Sequence, residues 1–271
     1  MKKLLIFSGS HPRHIYLNKS IMDLFDEVIV FALKREDIIP EIPKGLDTLD
    51  EKNFVRHFSD RQKIEFQQFG DLDLKANFQS SKKLYLISPN EINTAAKYFN
   101  IIKDFNADCA FIFGFEMIKE KILKILPKYK INLHLGLSPW YKGSATLFWP
   151  FYFLQPQFAG VTFHQITDKP DAGEIFHQFC PAMNLNDGIH DLGARAVTSS
   201  VKEARSLLKK LILKKELTGK NQITSGRVWK TSDFMPSHLR VIYNLYNNDI
   251  VKHFLKGNLD NKKPKLFSCL R

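Results

Sequence analysis

The sequence has few cysteines and lacks any long hydrophobic run. Its three cysteines, at positions 109, 180 and 269, are odd in number and far apart, with no Cys-x-x-Cys spacing. They therefore predict neither a disulfide framework nor a zinc site. No apolar run approaches the roughly 20 residues needed to cross a bilayer, and the apolar part of the amino terminus is too short for a secretory signal. We expect a soluble, cytosolic chain without a membrane span.

The net charge is close to zero over most of the chain, and the excess of positive charge is concentrated near its end. The net charge is +12, but residues 202–271 hold 16 of the 40 Lys and Arg residues and only 5 of the 28 acidic ones, a local net charge of +11. A localised basic segment indicates an anionic partner, such as phosphate groups on a small substrate, RNA or a membrane surface. A lysine-rich face that is simply solvated is the competing interpretation.

Apolar runs alternate along the chain with segments of helical spacing. The predicted strands are 2–7, 28–33, 84–87, 109–113, 130–134, 160–166, 174–179 and 227–229. The predicted helices are 15–25, 52–69, 90–106, 117–126, 146–154 and 187–217, followed by one helix or two over 236–255, with a loop over 35–50. This alternation is typical of an α/β protein with an open, doubly wound and mostly parallel sheet. Residues 1–217 form the predicted main domain and 218–271 a small basic carboxy-terminal appendage.

Polar side chains are predicted at the edge of this sheet where ligands usually bind. Asn132 and His134 lie two residues apart on one strand, so their side chains share a face. An amide and an imidazole together suit stabilisation of an oxyanion and transfer of a proton, and Asp171 could return to the same edge to orient the histidine. In the competing interpretation Asn132 closes a turn, His134 is a satisfied core histidine and Asp171 caps a loop.

The motifs around these residues occur in an ordered series. Asn132-Leu-His134 is followed by Leu137, Pro139, Lys142 and Gly143, then by Gly160-x-Thr162-x-His164 and Asp171-x-Gly173-x-Ile175-x-x-Gln178. Over about residues 110–178 this series resembles the signature of the folate-dependent formyltransferases. That family includes methionyl-tRNA formyltransferase, glycinamide ribonucleotide formyltransferase and the sugar N-formyltransferases. The run His134-Leu-Gly-Leu-Ser-Pro139 departs from the His-Pro-Ser-Leu-Leu-Pro that is usual in the family.

The resemblance implies a Rossmann-like catalytic domain that takes its formyl group from N10-formyltetrahydrofolate. Matched position by position, the catalytic trio of the family falls on Asn132, His134 and Asp171. Asn132 and a protonated His134 would stabilise the oxyanion, and Asp171 would raise the pKa of the histidine. No metal is needed for this chemistry, and the other histidines show no convincing ligand spacing.

Two groups of residues are predicted to bind the substrates. The resemblance implies that the folate lies against the loop after the fourth strand, at Phe113, Gly114, Phe115, Met117 and Ile118. A nucleotide-linked substrate is expected to contact the turn after the first strand and the segment after His134, at Ser10, His11, Arg13, Trp140, Tyr141 and Lys142. A plain strand-to-helix turn and ordinary core aromatics are the competing interpretations of these two segments.

The acceptor that fits this chain best is the amine of a nucleotide-linked amino-deoxy sugar. Methionyl-tRNA formyltransferase carries a basic loop near its second strand and an OB-like carboxy-terminal domain, whereas residues 33–49 contain no Gly-Arg-Gly-Lys run and residues 218–271 are few for such a barrel. A purine-pathway enzyme would lack the appendage. Methionyl-tRNA formyltransferase stays an alternative, as does a non-catalytic protein that binds nucleic acid or a membrane through the basic segment. The chain could also form a homodimer.

Overall fold

Nine strands and eight α-helices occur among the residues that the computed structural model describes, which are 2–34, 40–73, 75, 78, 81–223 and 226–270. The strands are β1 (Lys3–Ser8), β2 (Glu27–Leu33), β3 (Lys82–Ile87), β4 (Cys109–Phe113), β5 (Lys130–His134), β6 (Tyr141–Gly143), β7 (Val161–Gln165), β8 (Ile175–Phe179) and β9 (Arg227–Trp229). The α-helices are α1 (Pro12–Met22), α2 (Thr48–Phe69), α3 (Glu91–Thr94), α4 (Ala96–Phe105), α5 (Glu120–Leu123), α6 (Phe148–Tyr152), α7 (Ile189–Ile212) and α8 (Ile250–Leu255). None of the helices in these described ranges is long and apolar enough to cross a membrane.

Seven strands form one sheet in the order β3-β2-β1-β4-β5-β7-β8. The first five strands are parallel, whereas β7 pairs antiparallel with β5 and β8 antiparallel with β7. The order reverses beside β1, the first strand, so the sheet is doubly wound and mostly parallel, as the sequence predicted. The β6 and β9 strands form a separate parallel pair.

The buried strand residues alternate between the two faces of the large sheet. On β1, Leu4 and Ile6 belong to one apolar cluster, together with residues of α1 and α7, while Leu5 and Phe7 belong to a second cluster with residues of α4 and α5. The central strand β1 is therefore apolar on both sides, which explains its continuous apolar run in the sequence. Helices cover both faces, and the carboxyl ends of the parallel strands are left to build a site.

Residues beyond 217 pack against the main domain. The β9 strand pairs with β6, and the Trp229 ring stacks on Trp149 with centroids 4.0 Å apart. Leu239 and Ile242 are buried in the same apolar cluster as Trp149. Near the carboxyl end, the Cys269 N–H donates to the Phe176 carbonyl on β8 at 2.8 Å. The basic segment thus contributes to the core as well as to the surface.

The helix predicted over 90–106 is interrupted in the structure. Asn90 is in the left-handed conformation, with φ of 64°, and its side chain does not cap the helix. The chain becomes extended at Ala95, which separates α3 from α4. The Thr94 hydroxyl donates to the Asn90 carbonyl at 3.1 Å, a side-chain bond that competes with continuation of the helix. The apolar spacing along this segment did not reveal the break.

The segment 236–255, predicted as one helix or two, contains a turn before its last helix. Two consecutive asparagines, Asn247 and Asn248, have positive φ angles of 47° and 62°, so the chain turns before α8 begins at Ile250. The loop predicted over 35–50 ends earlier than expected, because α2 begins at Thr48, and its residues 35–39 lie outside the described part of the chain.

Candidate active site

Two neighbouring antiparallel strands present the polar residues of the site. In the pairing of β5 with β7, Asn132 lies opposite His164 and His134 lies opposite Thr162. Because residues two apart on a strand share a face, all four side chains project on the same side of the sheet. The register therefore places a second histidine beside the predicted Asn132 and His134 pair.

Asp171 reaches these strands from the turn between β7 and β8. Its backbone is left-handed, with φ of 45°, and its carbonyl accepts a hydrogen bond from Gln222 Nε2 at 2.8 Å. The carboxylate accepts a bond from the Gly143 N–H at 2.7 Å. Left-handed backbone is unusual outside glycine and asparagine and marks a constrained position. Contacts from both sides of the turn thus fix this carboxylate.

The structure brings the predicted trio together and adds His164. Asp171 Oδ2 lies 3.4 Å from His134 Nδ1, and Asp171 Oδ1 lies 3.2 Å from His164 Nε2. Asn132 Nδ2 donates to Asp171 Oδ1 at 3.4 Å and lies 3.1 Å from His164 Nε2. One carboxylate therefore sits between two imidazoles, next to an amide donor.

Burial controls the protonation of this cluster. It lowers the pKa of His134, and although Asp171 raises that pKa, the neighbouring His164 lowers it further, so the net direction is downward. Asp171 therefore raises the pKa of His134, as expected, but removal from water outweighs the carboxylate. Burial alone would raise the pKa of Asp171, but the two histidines and the Gly143 N–H hold it well below its usual value.

The loop after His134 is held by buried polar contacts. His134 Nε2 donates to the Tyr141 carbonyl at 2.8 Å, which fixes the plane of the ring. Thr162 Oγ1 donates to the Gly136 carbonyl at 2.7 Å and accepts from the Ser138 N–H at 3.0 Å. The loop therefore closes back on the strand, and its contacts hold His134 in one orientation.

A cavity of about 430 Å³ opens at the ends of the parallel strands; we call it the strand-end cavity. Its lining includes the cluster just described and the loop after β4. All five residues predicted to contact folate line it, namely Phe113, Gly114, Phe115, Met117 and Ile118. The volume lies in the usual range for a small-molecule site, and the lining combines apolar side chains with a few polar groups.

Gly114 allows the loop after β4 to pass close to α1. Its φ is 62°, and a Cβ at this position would lie 2.2 Å from Nε2 of the buried His14 ring. Burial, followed by the charge of Arg13, lowers the pKa of His14 well below its usual value. Glycine suits this position for two reasons. It adopts the left-handed backbone without strain, and it leaves room for the neutral His14 ring.

A second cavity, of about 470 Å³, lies against α2 and α7; we call it the helix-side cavity. It shares Arg13, Leu135, Ser144 and Thr146 with the strand-end cavity. Its other lining residues include His57, Arg61 and Glu65 from α2, His190 from α7, and the aromatic rings of Phe58, Phe148 and Phe234. The two cavities thus adjoin beside the histidine and carboxylate cluster.

The residues predicted to bind a nucleotide-linked substrate are placed in different surroundings. Arg13 lines both cavities. Trp140 packs edge-on against Phe158, and the Tyr141 hydroxyl donates to Gln155 Oε1 at 3.1 Å. The predicted residues that line neither cavity among the described positions are Ser10, His11, Trp140, Tyr141 and Lys142.

The sequence analysis missed the polar side chains of the helix-side cavity and gave His164 no role. A signal for His164 existed, since it lies opposite Asn132 once the two strands are paired in register. His57, Arg61 and Glu65 are spaced four residues apart, so they form one line along α2. Such a polar line on a helix that also buries Phe54 was a detectable signal of a lined cavity. No group of three or more His, Cys, Asp or Glu that could hold a metal occurs within the described ranges.

The chain is similar to a known protein family. The model of the formyl transferase family matches residues 60–205, which include β5, β7, β8 and all four residues of the cluster. The match therefore covers more than half of the chain.

Solved structures of formyltransferases share the fold. An N-formyltransferase from Helicobacter canadensis, in complex with folinic acid and dTDP-3-aminofucose, has a TM-score of 0.57 at 18% identity, covering 95% of this chain and 82% of its own. The formyltransferase PseJ from Anoxybacillus kamchatkensis, in complex with UDP-4,6-dideoxy-4-formamido-L-AltNAc and tetrahydrofolate, has a TM-score of 0.53 at 18% identity, covering 92% and 96%. A phosphoribosylglycinamide formyltransferase from Streptococcus pneumoniae has a TM-score of 0.53 at 17% identity, covering 78% of this chain and 99% of its own.

Proposed function

The chain belongs to the formyl transferase family, and from that premise we propose that it transfers a formyl group from N10-formyltetrahydrofolate to the amine of a nucleotide-linked amino-deoxy sugar. The observation that carries this proposal is the pair of adjoining cavities. A transfer between two substrates needs two sites that meet at the reacting atoms. Here they share a border beside His134 and Asp171.

The strand-end cavity is the site proposed for the folate. Its wall combines the buried rings and side chains of Phe113 and Ile118 with the backbone of the loop after β4. A flat pterin suits an apolar slot with backbone donors and acceptors at its edge. When bound there, the folate supplies the formyl carbon, which would lie within reach of Asn132 and His134.

Asn132, His134 and Asp171 are proposed as the catalytic residues. As the acceptor amine bonds to the formyl carbon, the Asn132 amide can donate to the oxygen that becomes negative, an interaction typically worth about 3 kcal/mol. His134 is neutral beforehand because burial lowers its pKa. Its Nε2 hydrogen is held by the Tyr141 carbonyl, so Nδ1 is the atom that can take up the proton that the amine loses. Asp171 Oδ2, 3.4 Å from His134 Nδ1, stabilises the resulting imidazolium. His134 then gives the proton to the folate nitrogen as the bond from that nitrogen to the formyl carbon breaks.

The helix-side cavity is the site proposed for the nucleotide-linked sugar. It contains arginines for a diphosphate and aromatic rings for apolar contact. Two of the solved structures with this fold hold nucleotide-linked sugars together with a folate, which supports the same division of substrates. The Streptococcus pneumoniae purine enzyme is matched by a smaller share of this chain.

The division of the chain remains part of the proposal. We propose residues 1–217 as the catalytic domain and residues 218–271 as a small basic region that supports it, because Gln222 bonds the backbone of the Asp171 turn and β9 pairs with the segment that contains Gly143. The cytosol is the proposed location, and a homodimer stays a prediction.

Purified protein with N10-formyltetrahydrofolate and a panel of nucleotide-linked amino-deoxy sugars tests the function directly. We expect one sugar to gain the mass of a formyl group, while the matching sugar with a hydroxyl in place of the amine does not change. Charged initiator methionyl-tRNA is the counter-substrate. Formylation of that tRNA and of none of the sugars would overturn the proposed acceptor and leave the formyl transfer itself intact.

A further inference from the structure

Residues 219–222, which we call the bridging segment, run beside the turn that carries Asp171. Within this segment Lys220 exchanges two backbone hydrogen bonds with Ile175, the first residue of β8, and each is 2.9 Å long. These bonds attach the segment to the strand that leaves the turn. The backbone of the bridging segment is therefore held close to Asp171.

Gln222, the last residue of the bridging segment, binds the Asp171 turn at two points. Its side-chain Nε2 donates to the carbonyl of Asp171 and to the carbonyl of Gly173, both at 2.8 Å. A side-chain amide has two N–H donors, so both of them are used in these bonds. One side chain thus joins two backbone groups that lie two residues apart in the turn.

The backbone of Asp171 depends on such contacts. Its φ of 45° is in the left-handed region, which is unfavourable for a residue with a Cβ and persists where the surroundings hold it. The base of the turn is closed separately, because the Gln165 N–H donates to the Glu174 carbonyl at 2.9 Å. Gln222 acts nearer the apex, at the strained residue itself. We therefore expect that loss of its two bonds would let Asp171 relax while the flanking strands stay paired.

The cluster depends on where the Asp171 carboxylate lies. Asp171 Oδ2 is 3.4 Å from His134 Nδ1 and accepts a bond from the Gly143 N–H at 2.7 Å. Because the aspartate side chain is short, its carboxylate moves with the backbone, and its attraction for a charge on His134 weakens with distance. Gln222 lines neither cavity among the described positions, so its effect reaches the substrates through Asp171.

We propose that Gln222 is a positioning residue, which holds the Asp171 turn in the conformation that places the carboxylate against His134 Nδ1. This inference rests on the proposed function. The imidazolium forms only as the amine attacks, so the interaction that Gln222 preserves is stronger in the transition state than with bound substrates. A positioning defect of this kind lowers kcat and leaves the KM values unchanged.

Two substitutions remove the donors of Gln222 without shortening its side chain. Gln222→Met keeps a similar size, and Gln222→Glu places a carboxylate without N–H groups against two carbonyls. We expect kcat to fall on the order of tenfold in Gln222→Met and further in Gln222→Glu, while the KM values for N10-formyltetrahydrofolate and the acceptor stay within about twofold. The control is Asn221→Ala, an exposed side chain of the same segment, which should leave these constants unchanged. Thermal unfolding of each variant shows that it is folded.

A double-mutant cycle shows whether Gln222 acts through Asp171. In an Asp171→Asn background the charge that Gln222 positions is already absent, so the addition of Gln222→Met should change kcat by less than about twofold. An equal loss of kcat in both backgrounds would show that Gln222 acts elsewhere and would overturn the positioning role. Wild-type kcat in Gln222→Met would overturn it as well.

The NMR signals of the His134 ring in isotope-labelled protein test the same role without catalysis. We expect Gln222→Met and Asp171→Asn to shift these signals in the same direction, because both reduce the negative charge near the ring, and Asn221→Ala to leave them unchanged. Shifted signals, together with a wild-type protein that formylates no sugar, would support the positioning role and reject the proposed acceptor. A formylated sugar, with wild-type kcat and unshifted signals in Gln222→Met, would overturn the positioning role and leave the proposed function standing.

Discussion

Each of the two adjoining cavities contains one carboxylate with two nitrogen-containing side chains, but the two differ in whether those side chains can lose a proton. In the strand-end cavity one carboxylate, Asp171, lies between the imidazoles of His134 and His164. In the helix-side cavity one carboxylate, Glu65, lies with two guanidinium groups. Imidazole can lose its proton when it is buried, whereas guanidinium keeps its charge. The first cavity can therefore exchange a proton, whereas the guanidinium groups of the second keep their charge.

This difference predicts which kinetic constant each cavity controls. Groups that act on the reacting atoms change kcat, whereas groups that hold a distant part of the substrate equally in the ground and transition states change KM. Residues of the strand-end cluster should therefore affect turnover, and residues of the helix-side cavity should affect acceptor binding. The predictions that follow test this division, beginning with the largest expected effect.

Substitution of the cluster should have the largest effect. We expect His134→Ala and Asp171→Asn each to lower kcat on the order of a hundredfold or more, because the first removes the proton acceptor and the second the charge that stabilises its imidazolium. Steady-state kinetics measure this, with Asp168→Asn in the same turn as the control, since that side chain is exposed and lines neither cavity. Near-wild-type turnover in either variant would contradict the assignment.

Gly114→Ala should disturb folate binding at the strand-end cavity. The new Cβ would collide with the His14 ring and the backbone would keep an unfavourable φ, so we expect the KM for N10-formyltetrahydrofolate to rise about tenfold and the unfolding temperature to fall. Gly257→Ala is the matched control, because its φ is 78° and a Cβ there meets no atom within 4 Å. Equal effects of the two substitutions would show that backbone strain alone is responsible.

The salt dependence of activity should be shallow. A diphosphate held by two arginines loses only several-fold in affinity between 50 and 200 mM salt, and activity below saturation should follow. If the net charge of +11 over residues 202–271 instead bound tRNA, many phosphate contacts would form and the loss would be on the order of a thousandfold. Initial rates across this salt range test the two possibilities. A several-fold loss indicates an anion bound in the cavities, and a loss on the order of a thousandfold indicates one bound by the basic segment.

The smallest expected effect is on stability in mild acid. Burial lowers the folded-state pKa of His190 to about 3 and that of His57 well below its usual value, so the unfolded chain binds protons near pH 6.5 that the folded chain does not. Stability from these groups is complete above that pH and decreases as the pH falls toward 5. We expect the unfolding temperature to drop by a few degrees from pH 7 to pH 5, and to drop less in His190→Gln. Asp171 does not contribute in this window, because its stabilisation is lost only below about pH 4.

The sequence was sufficient to predict the parallel sheet, because apolar runs marked β1, β2 and β4. The alternation along β5 placed Asn132 and His134 on one face, which depends only on short-range spacing. Asp171 was first suggested by the tight turn that carries it, and the family motif then matched the same position. The net pKa of His134 could not be predicted, since it depends on how much water the surrounding elements exclude from a site assembled from several parts of the chain.

The helix-side cavity escaped the sequence analysis for a related reason. A polar residue on a helix is usually exposed, so the polar line along α2 did not by itself show that α7 would lie against it. The expectation for Trp140 and Tyr141 came from their closeness in sequence to His134, but the loop turns and directs the Tyr141 hydroxyl to Gln155. Closeness in sequence predicted contact poorly where the chain changes direction.

The pairing of β6 with β9 has a consequence for the order in which the protein becomes active during synthesis. Gly143 bonds the Asp171 carboxylate through its N–H and pairs with Trp229, while Gln222 bonds the Asp171 carbonyl. A ribosome completes the whole parallel sheet before it reaches these later residues. A nascent chain could therefore fold its sheet while the Asp171 turn still lacks its contacts with Gln222 and β9. The contacts that hold the Asp171 turn would then be complete only after β9 has left the exit tunnel.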